Sequence, residues 1–210
     1  MKDIYTAMQE FLGLTPETLA IKLAEHRMVP VNGKMDREKS DAICRTIIAF
    51  EMKEIAPITL LISSGGGDVS SSNSIGDMIQ SIYSPVDGLI IDHAESMAVD
   101  ILLMCRVRRA LPHAEFFVHF TRSGFKVVAD SDTITNSEIA TFKKRMTANK
   151  KAREDFYMAR LGKSRKEIHD LFRLGEKYDL YYTAQEALRL GIIDEIDTTF
   201  KYFIKPPKKK

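Results

Sequence analysis

Ser96 lies in Ala94-Glu95-Ser96-Met97-Ala98, where an apolar strand pattern gives way to an apolar helix pattern. A helix N-terminus offers unpaired N–H groups and a partial positive charge. A serine hydroxyl placed there can act as a nucleophile whose oxyanion is held by backbone donors. The same position suits serine as a plain N-cap, with the hydroxyl bonded to the first turn. Upstream, Ser63-Ser64-Gly65-Gly66-Gly67-Asp68 closes another apolar strand. Residues without Cβ let a backbone turn sharply and present its N–H groups to an anion or an oxyanion. The run lacks the Lys-Ser or Lys-Thr pair of a phosphate loop and the spacing of a dinucleotide fingerprint, and a tight turn is its plainer reading. His119 ends a short apolar run and Asp179 precedes a helix start, places from which strand ends and loops present catalytic groups. Serine, histidine and aspartate are the set in which a hydroxyl finds a base and the base an orienting acid. With five histidines in the chain, composition alone does not select this trio.

The elements that must hold these groups follow from periodicity and capping. Thr15-Pro16-Glu17 predicts a helix to about His26, and Met28 to Val31 reads as a strand. Asp36 is placed to cap a helix whose Ile43, Ile47, Ile48 and Phe50 recur at roughly helical spacing. Ile58 to Ile62 is a continuous apolar strand that runs into the glycine turn, and Ile75, Met78, Ile79 and Ile82 mark the next helix. Leu89-Ile90-Ile91 predicts a buried strand, with Asp92 to Ser96 leading into the helix Met97 to Met104. Phe116-Phe117-Val118 predicts a short strand ending at His119. A polar-rich stretch from Ser131 to about Leu161 places Ile139, Phe142 and Met146 on one helical face. Ser164 with Glu167, and Thr183 with Glu186, form capping-box patterns, the second closed by Gly191. Strands alternating with helices predict an α/β chain with right-handed crossovers and largely parallel pairing.

A chain of 210 residues suits one domain with a full core. Its 44% hydrophobic and 29% charged residues are those of an ordinary globule, and a net charge of +2 gives no global pull toward nucleic acid or anionic lipid. Cys44 and Cys105 sit among apolar neighbours, which predicts reduced thiols and a cytoplasmic setting. The start of the chain lacks a secretory pattern, and no apolar run is long enough for a membrane helix. The basic groups Arg106 to Arg109, Lys143-Lys144-Arg145 and Lys150-Lys151 have acids nearby and read as solvated faces. The histidines show no metal-ligand spacing, so neither metal nor cofactor is expected.

Four motifs in order resemble the ClpP serine peptidase family: Ile62 to Val69 with its three glycines, Ala94 to Ala98, Leu111-Pro112 leading to Phe117-Val118-His119, and Asp179 to Ala187 followed by Gly191-Ile192-Ile193-Asp194. The resemblance spans about Leu23 to Ile196, and the gap from Gly67 to Ser96 carries no insertion. It implies a ClpP/crotonase-type α/β spiral of strand-helix units with a helical handle insertion. It also implies an endopeptidase acting on peptides or unfolded polypeptides, with Ser96 as nucleophile, His119 as base and Asp179 as orienting acid. The Gly67 and Met97 N–H groups would form the oxyanion hole. The chain order serine, histidine, aspartate differs from those of α/β-hydrolases, chymotrypsin-like enzymes and subtilisins. Relatives form seven-membered rings that stack face to face and receive substrate from an ATP-driven unfoldase, so a heptameric homo-oligomer is the expected assembly.

On this basis residues 1–204 are expected to form one peptidase domain, with a divergent helical segment at 1–26, a handle at about 125–162 and a basic disordered tail at 205–210. The chain departs from the family in several places. Glu95 precedes the nucleophile, Ala98 replaces a common glycine, and Phe120-Thr121 stands where a Gln-Pro pair often follows the histidine. Tyr178 fills a position often held by an arginine that couples the rings, which makes a single ring or a smaller assembly the alternative. Two other functions stay open: a silent ClpP-like subunit of a mixed ring, and a crotonase-like acyl-CoA enzyme.

Overall fold

The computed structural model describes residues 16–120, 136–178 and 180–198. Asp179, the tail 205–210, the first fifteen residues and the early part of the expected handle lie outside the described residues. Helix α1 (Pro16–Glu25) leads into strand β1 (Met28–Asn32), followed by α2 (Arg37–Lys53), β2 (Ile58–Ser64), α3 (Val69–Ser81), β3 (Val86–Glu95) and α4 (Met97–Met104). Then come β4 (Arg108–Ala110), β5 (Glu115–Phe117), the long α5 (Asn136–Leu161), α6 (Arg165–Tyr178), β6 (Tyr181–Thr183), α7 (Ala184–Leu190) and β7 (Glu195–Ile196).

Local chemistry sets the helix ends. The Asp36 carboxylate accepts the Lys39 N–H at 3.0 Å to start α2, and Asp68 accepts the Ser71 N–H at 2.8 Å to start α3. Thr183 and Glu186 bond reciprocally around the first turn of α7, which Gly191 ends in the left-handed conformation at φ 79°. On α2, Ile43, Ile47 and Phe50 face the core, whereas Ile48 stays 39% exposed because it falls one position off that stripe.

Strands β1, β2, β3, β4 and β7 lie in that order, all parallel. Burial on both faces explains the unbroken apolar runs of β2 and early β3. β3 continues through Asp92, His93 and Glu95, further than its apolar residues predict, because it serves two neighbours in turn. Gly88 to Ile90 pair with β4, while His93 to Glu95 pair with β5. An irregularity between Ile62 and Ser64 of β2 accompanies the handover. β5 in turn pairs antiparallel with β6, placing Phe117 opposite Tyr181.

The main core packs Ile47, Ile58, Leu60, Ile62, Ile75, Ile90 and Ile101 at or near zero exposure. Each such side chain contributes about 2 kcal/mol of transfer free energy. A smaller cluster of Met28, Leu61 and Leu89 lies under Leu23 of α1.

The basic run expected on a solvated face is ion-paired there. Arg106 Nε and Nη2 both meet Asp87 at 2.9 Å, Arg108 binds Asp194 through its backbone and side chain, and Arg109 pairs with Glu195. The reason is topological. β4 is an interior strand; β3 supplies Asp87, β7 supplies Glu195, and Asp194 sits just ahead of β7. Lys143, Lys144, Arg145, Lys150 and Lys151 on α5 are exposed.

Candidate active site

The end of β3 and the start of α4 meet at Ser96, which takes φ 53° and ψ −119°. A residue with a Cβ is strained there. Its side chain makes no capping bond to the helix, so the plain N-cap reading fails. The main chain is tied down instead: Ser96 N–H donates to the Phe117 carbonyl at 2.7 Å, and its own carbonyl accepts from Val99 N–H at 3.2 Å.

The glycine loop closes directly over this junction. A Cβ on Gly66 would lie 2.6 Å from the Glu95 carbonyl oxygen and 2.8 Å from the Met97 nitrogen, a spacing only glycine tolerates. Gly67 takes φ 154° and bridges to Met35, whose carbonyl any side chain at 67 would strike. Met35 N–H donates to the Gly66 carbonyl at 2.7 Å and Asp68 N–H donates to Met35 at 2.9 Å. The N–H groups of Gly67 and Met97 find no acceptor among the described residues. Gly67 follows the glycine that packs on the Ser96 backbone, and Met97 follows Ser96 in the chain.

His119 follows β5, its ring 5.2 Å from that of Phe117. Its Nδ1 lies 2.6 Å from the Phe120 carbonyl oxygen. A carbonyl can only accept, so Nδ1 carries a hydrogen and donates it to Phe120. Phe120 is held in turn, with its ring 5.1 Å from Phe172, 5.3 Å from His169 and beneath Lys150 Nζ at 4.1 Å. Asp179 lies outside the described residues, so its place beside the imidazole is an expectation from sequence.

Glu95 is half-buried on the face it shares with Phe117, its partner across the ladder. One carboxylate oxygen lies 3.4 Å from the Tyr181 hydroxyl, and the other is the nearest group to the open side of Gly65. Tyr181 stacks on Phe117 at 5.0 Å. His119, Phe117, Tyr181 and Glu95 thus form a continuous row of side-chain contacts.

Sequence reasoning missed the polar cluster beneath. Asp100 is 4% exposed on α4 and Arg153 9% exposed on α5, and Tyr157 is fully buried. Arg153 holds Asp100 through Nε at 2.9 Å and Nη2 at 2.8 Å, and Tyr157 donates to the same carboxylate at 2.6 Å. Burial pushes the Arg153 guanidinium down, but the Asp100 carboxylate outweighs it and holds the group above its ordinary range. Burial, reinforced by Asp100, pushes the Tyr157 hydroxyl well up. The available signal was Asp100 itself, a carboxylate in an apolar helix that is tolerable only with a buried partner. Among the described residues no three His, Cys, Asp or Glu side chains converge as metal ligands would.

The model of the family described as Clp protease matches residues 15–199. The solved structure of a ClpP1 mutant from Listeria monocytogenes superposes with a TM-score of 0.74 and covers 89% of this chain and 99% of that one, at 22% identity. That likeness shows the fold, an α/β ClpP-type arrangement of strand-helix units.

Proposed function

The chain belongs to the Clp protease family, and from that premise we propose that it is a serine endopeptidase acting on peptides and unfolded polypeptides. Ser96 is the nucleophile, His119 the general base, Asp179 the acid that stabilises the imidazolium, and the Gly67 and Met97 N–H groups the oxyanion hole. The observation that carries this reading is the strained Ser96, whose hydroxyl caps nothing while the glycine loop packs against its backbone.

In the first step His119 Nε2 takes the hydroxyl proton as Ser96 Oγ bonds to the scissile carbonyl carbon. The carbonyl oxygen becomes an oxyanion between the two N–H donors. The imidazolium then returns the proton to the leaving nitrogen as the C–N bond breaks, and water repeats the sequence to release the acyl group. Membership in a protease family favours a peptide over the thioester that an acyl-CoA enzyme would bind.

Assembly into a homo-oligomeric ring, heptameric and fed by an ATP-dependent unfoldase, is part of the same proposal, as are a cytoplasmic setting and a single peptidase domain over residues 1–204. No helix among the described residues is long and apolar enough to cross a membrane. The test is covalent labelling of the native oligomer by a fluorophosphonate, together with cleavage of an unstructured peptide. Labelling lost in Ser96→Ala and in His119→Ala supports the reading. An oligomer that neither labels nor cleaves, with or without an unfoldase, belongs to the silent-subunit class.

A further inference from the structure

Arg153 spends its donors on three elements at once. Besides its two bonds to Asp100, Nη1 donates to the main-chain carbonyl of His119 at 2.6 Å and Nη2 to that of Ser96 at 3.3 Å. Ser96 follows β3 and His119 follows β5, and one buried side chain from a distant helix bonds the backbone of both. The guanidinium is fixed from its faces as well, lying 5.5 Å from the Tyr157 ring and 5.2 Å from the Phe172 ring.

We propose that Arg153 is a positioning residue that holds Ser96 and His119 at the spacing proton transfer needs, with Asp100 and Tyr157 fixing the fork. This rests on the peptidase reading of those two residues.

Stability alone does not account for the cluster. A buried ion pair is often replaceable by apolar side chains of similar volume without loss of stability. An apolar pair cannot reach two carbonyls. A lysine cannot either, since its single ammonium lacks the planar fork that meets a carboxylate and two further acceptors in fixed directions. The carbonyls concerned belong to the strained serine and to the residue whose ring must aim Nε2, so loss of the fork frees both backbones. Geometry loosened by about 1 Å typically lowers turnover by about 100-fold.

The experiment compares the native oligomer with Arg153→Lys and with the double variant Asp100→Leu plus Arg153→Leu, which leaves no buried charge alone. Steady-state cleavage of an unstructured peptide and hydrogen exchange of the backbone are both measured. The expected result is a kcat about 100-fold lower in both variants with KM unchanged. Exchange should quicken in peptides covering 95–99 and 117–120, with the rest of the chain as in wild type. Wild-type kcat and exchange in a folded double variant would overturn the proposal and leave Arg153 a strut of the core. A KM increase at constant kcat would overturn it too. A wild-type oligomer inert to fluorophosphonate sinks the peptidase reading separately, because exchange reads the clamp whether or not the serine reacts.

Discussion

The Ser96 N–H donates to the Phe117 carbonyl over 2.7 Å, which ties the residue after β3 to the strand that leads into His119. That bond helps hold Ser96 at φ 53°, where glycine is at ease and serine is not.

Strain of this kind costs about 1–3 kcal/mol. Ser96→Gly should therefore be more stable than Ser96→Ala by about 1 kcal/mol, although both lack the nucleophile. Urea unfolding midpoints read the difference. Equal midpoints would show that position 96 is unstrained.

Gly67→Ala should lose activity and stability together. The new methyl meets the Met35 main chain, which belongs to the bridge that holds the loop, and φ 154° is foreign to alanine. A loss of more than about 1 kcal/mol in chemical denaturation is expected. The fluorophosphonate labelling rate should fall with it, because the Gly67 N–H moves.

Asp179→Asn should slow turnover without removing it. Where an acid alone sets the histidine tautomer, such a change costs about 10⁴ in kcat. Here the Phe120 carbonyl already requires a hydrogen on Nδ1, so only stabilisation of the imidazolium is lost. A fall of about 100-fold is expected in kcat. A fall of the full size would mean that the carbonyl does not hold the ring during turnover.

Acid should unfold the protein through identifiable carboxylates. Asp68 is held below its usual range by the Ser70 hydroxyl and by the Ser71 N–H and hydroxyl, and Glu51 by Ser84 and the Tyr83 N–H. Burial pushes Asp194 up, but its bonds to Arg108 bring it down on balance. A folded-state value below the unfolded one stabilises fully above the unfolded value, and that stabilisation is lost as pH falls through the folded value. Urea midpoints should be flat above about pH 5 and drop below about pH 4. Asp68→Asn, which keeps a capping side chain, should show a shallower drop.

Much of this arrangement was legible from local signals. Asp36, Thr183 with Glu186, and Gly191 mark helix ends because capping is decided within a few residues. Ser96 and Gly67 were legible as a strand-helix junction and a tight turn for the same reason. β4 was not, since Arg108-Arg109-Ala110 has no strand character of its own and is a strand only because β3 and β7 flank it. The polar end of β3 escaped notice because its pairing with β5 is a tertiary event. Arg153 was hidden among the basic residues of α5, and only the fold reveals that it turns inward to Asp100.

The pairing of Arg108 and Arg109 with Asp194 and Glu195, 86 residues further on, has a bearing on how the chain is made. Translation runs from the N-terminus, so β1 to β3 can associate while the outer edge of β4 still lacks its covering strand. That edge stays an open template for other chains until β7 has left the ribosome exit. Contacts this distant in sequence also slow the final closure, since the intervening loop must be drawn in before they form. β7 is thus the latch on the β1 to β4 part of the sheet, which is otherwise complete by residue 110.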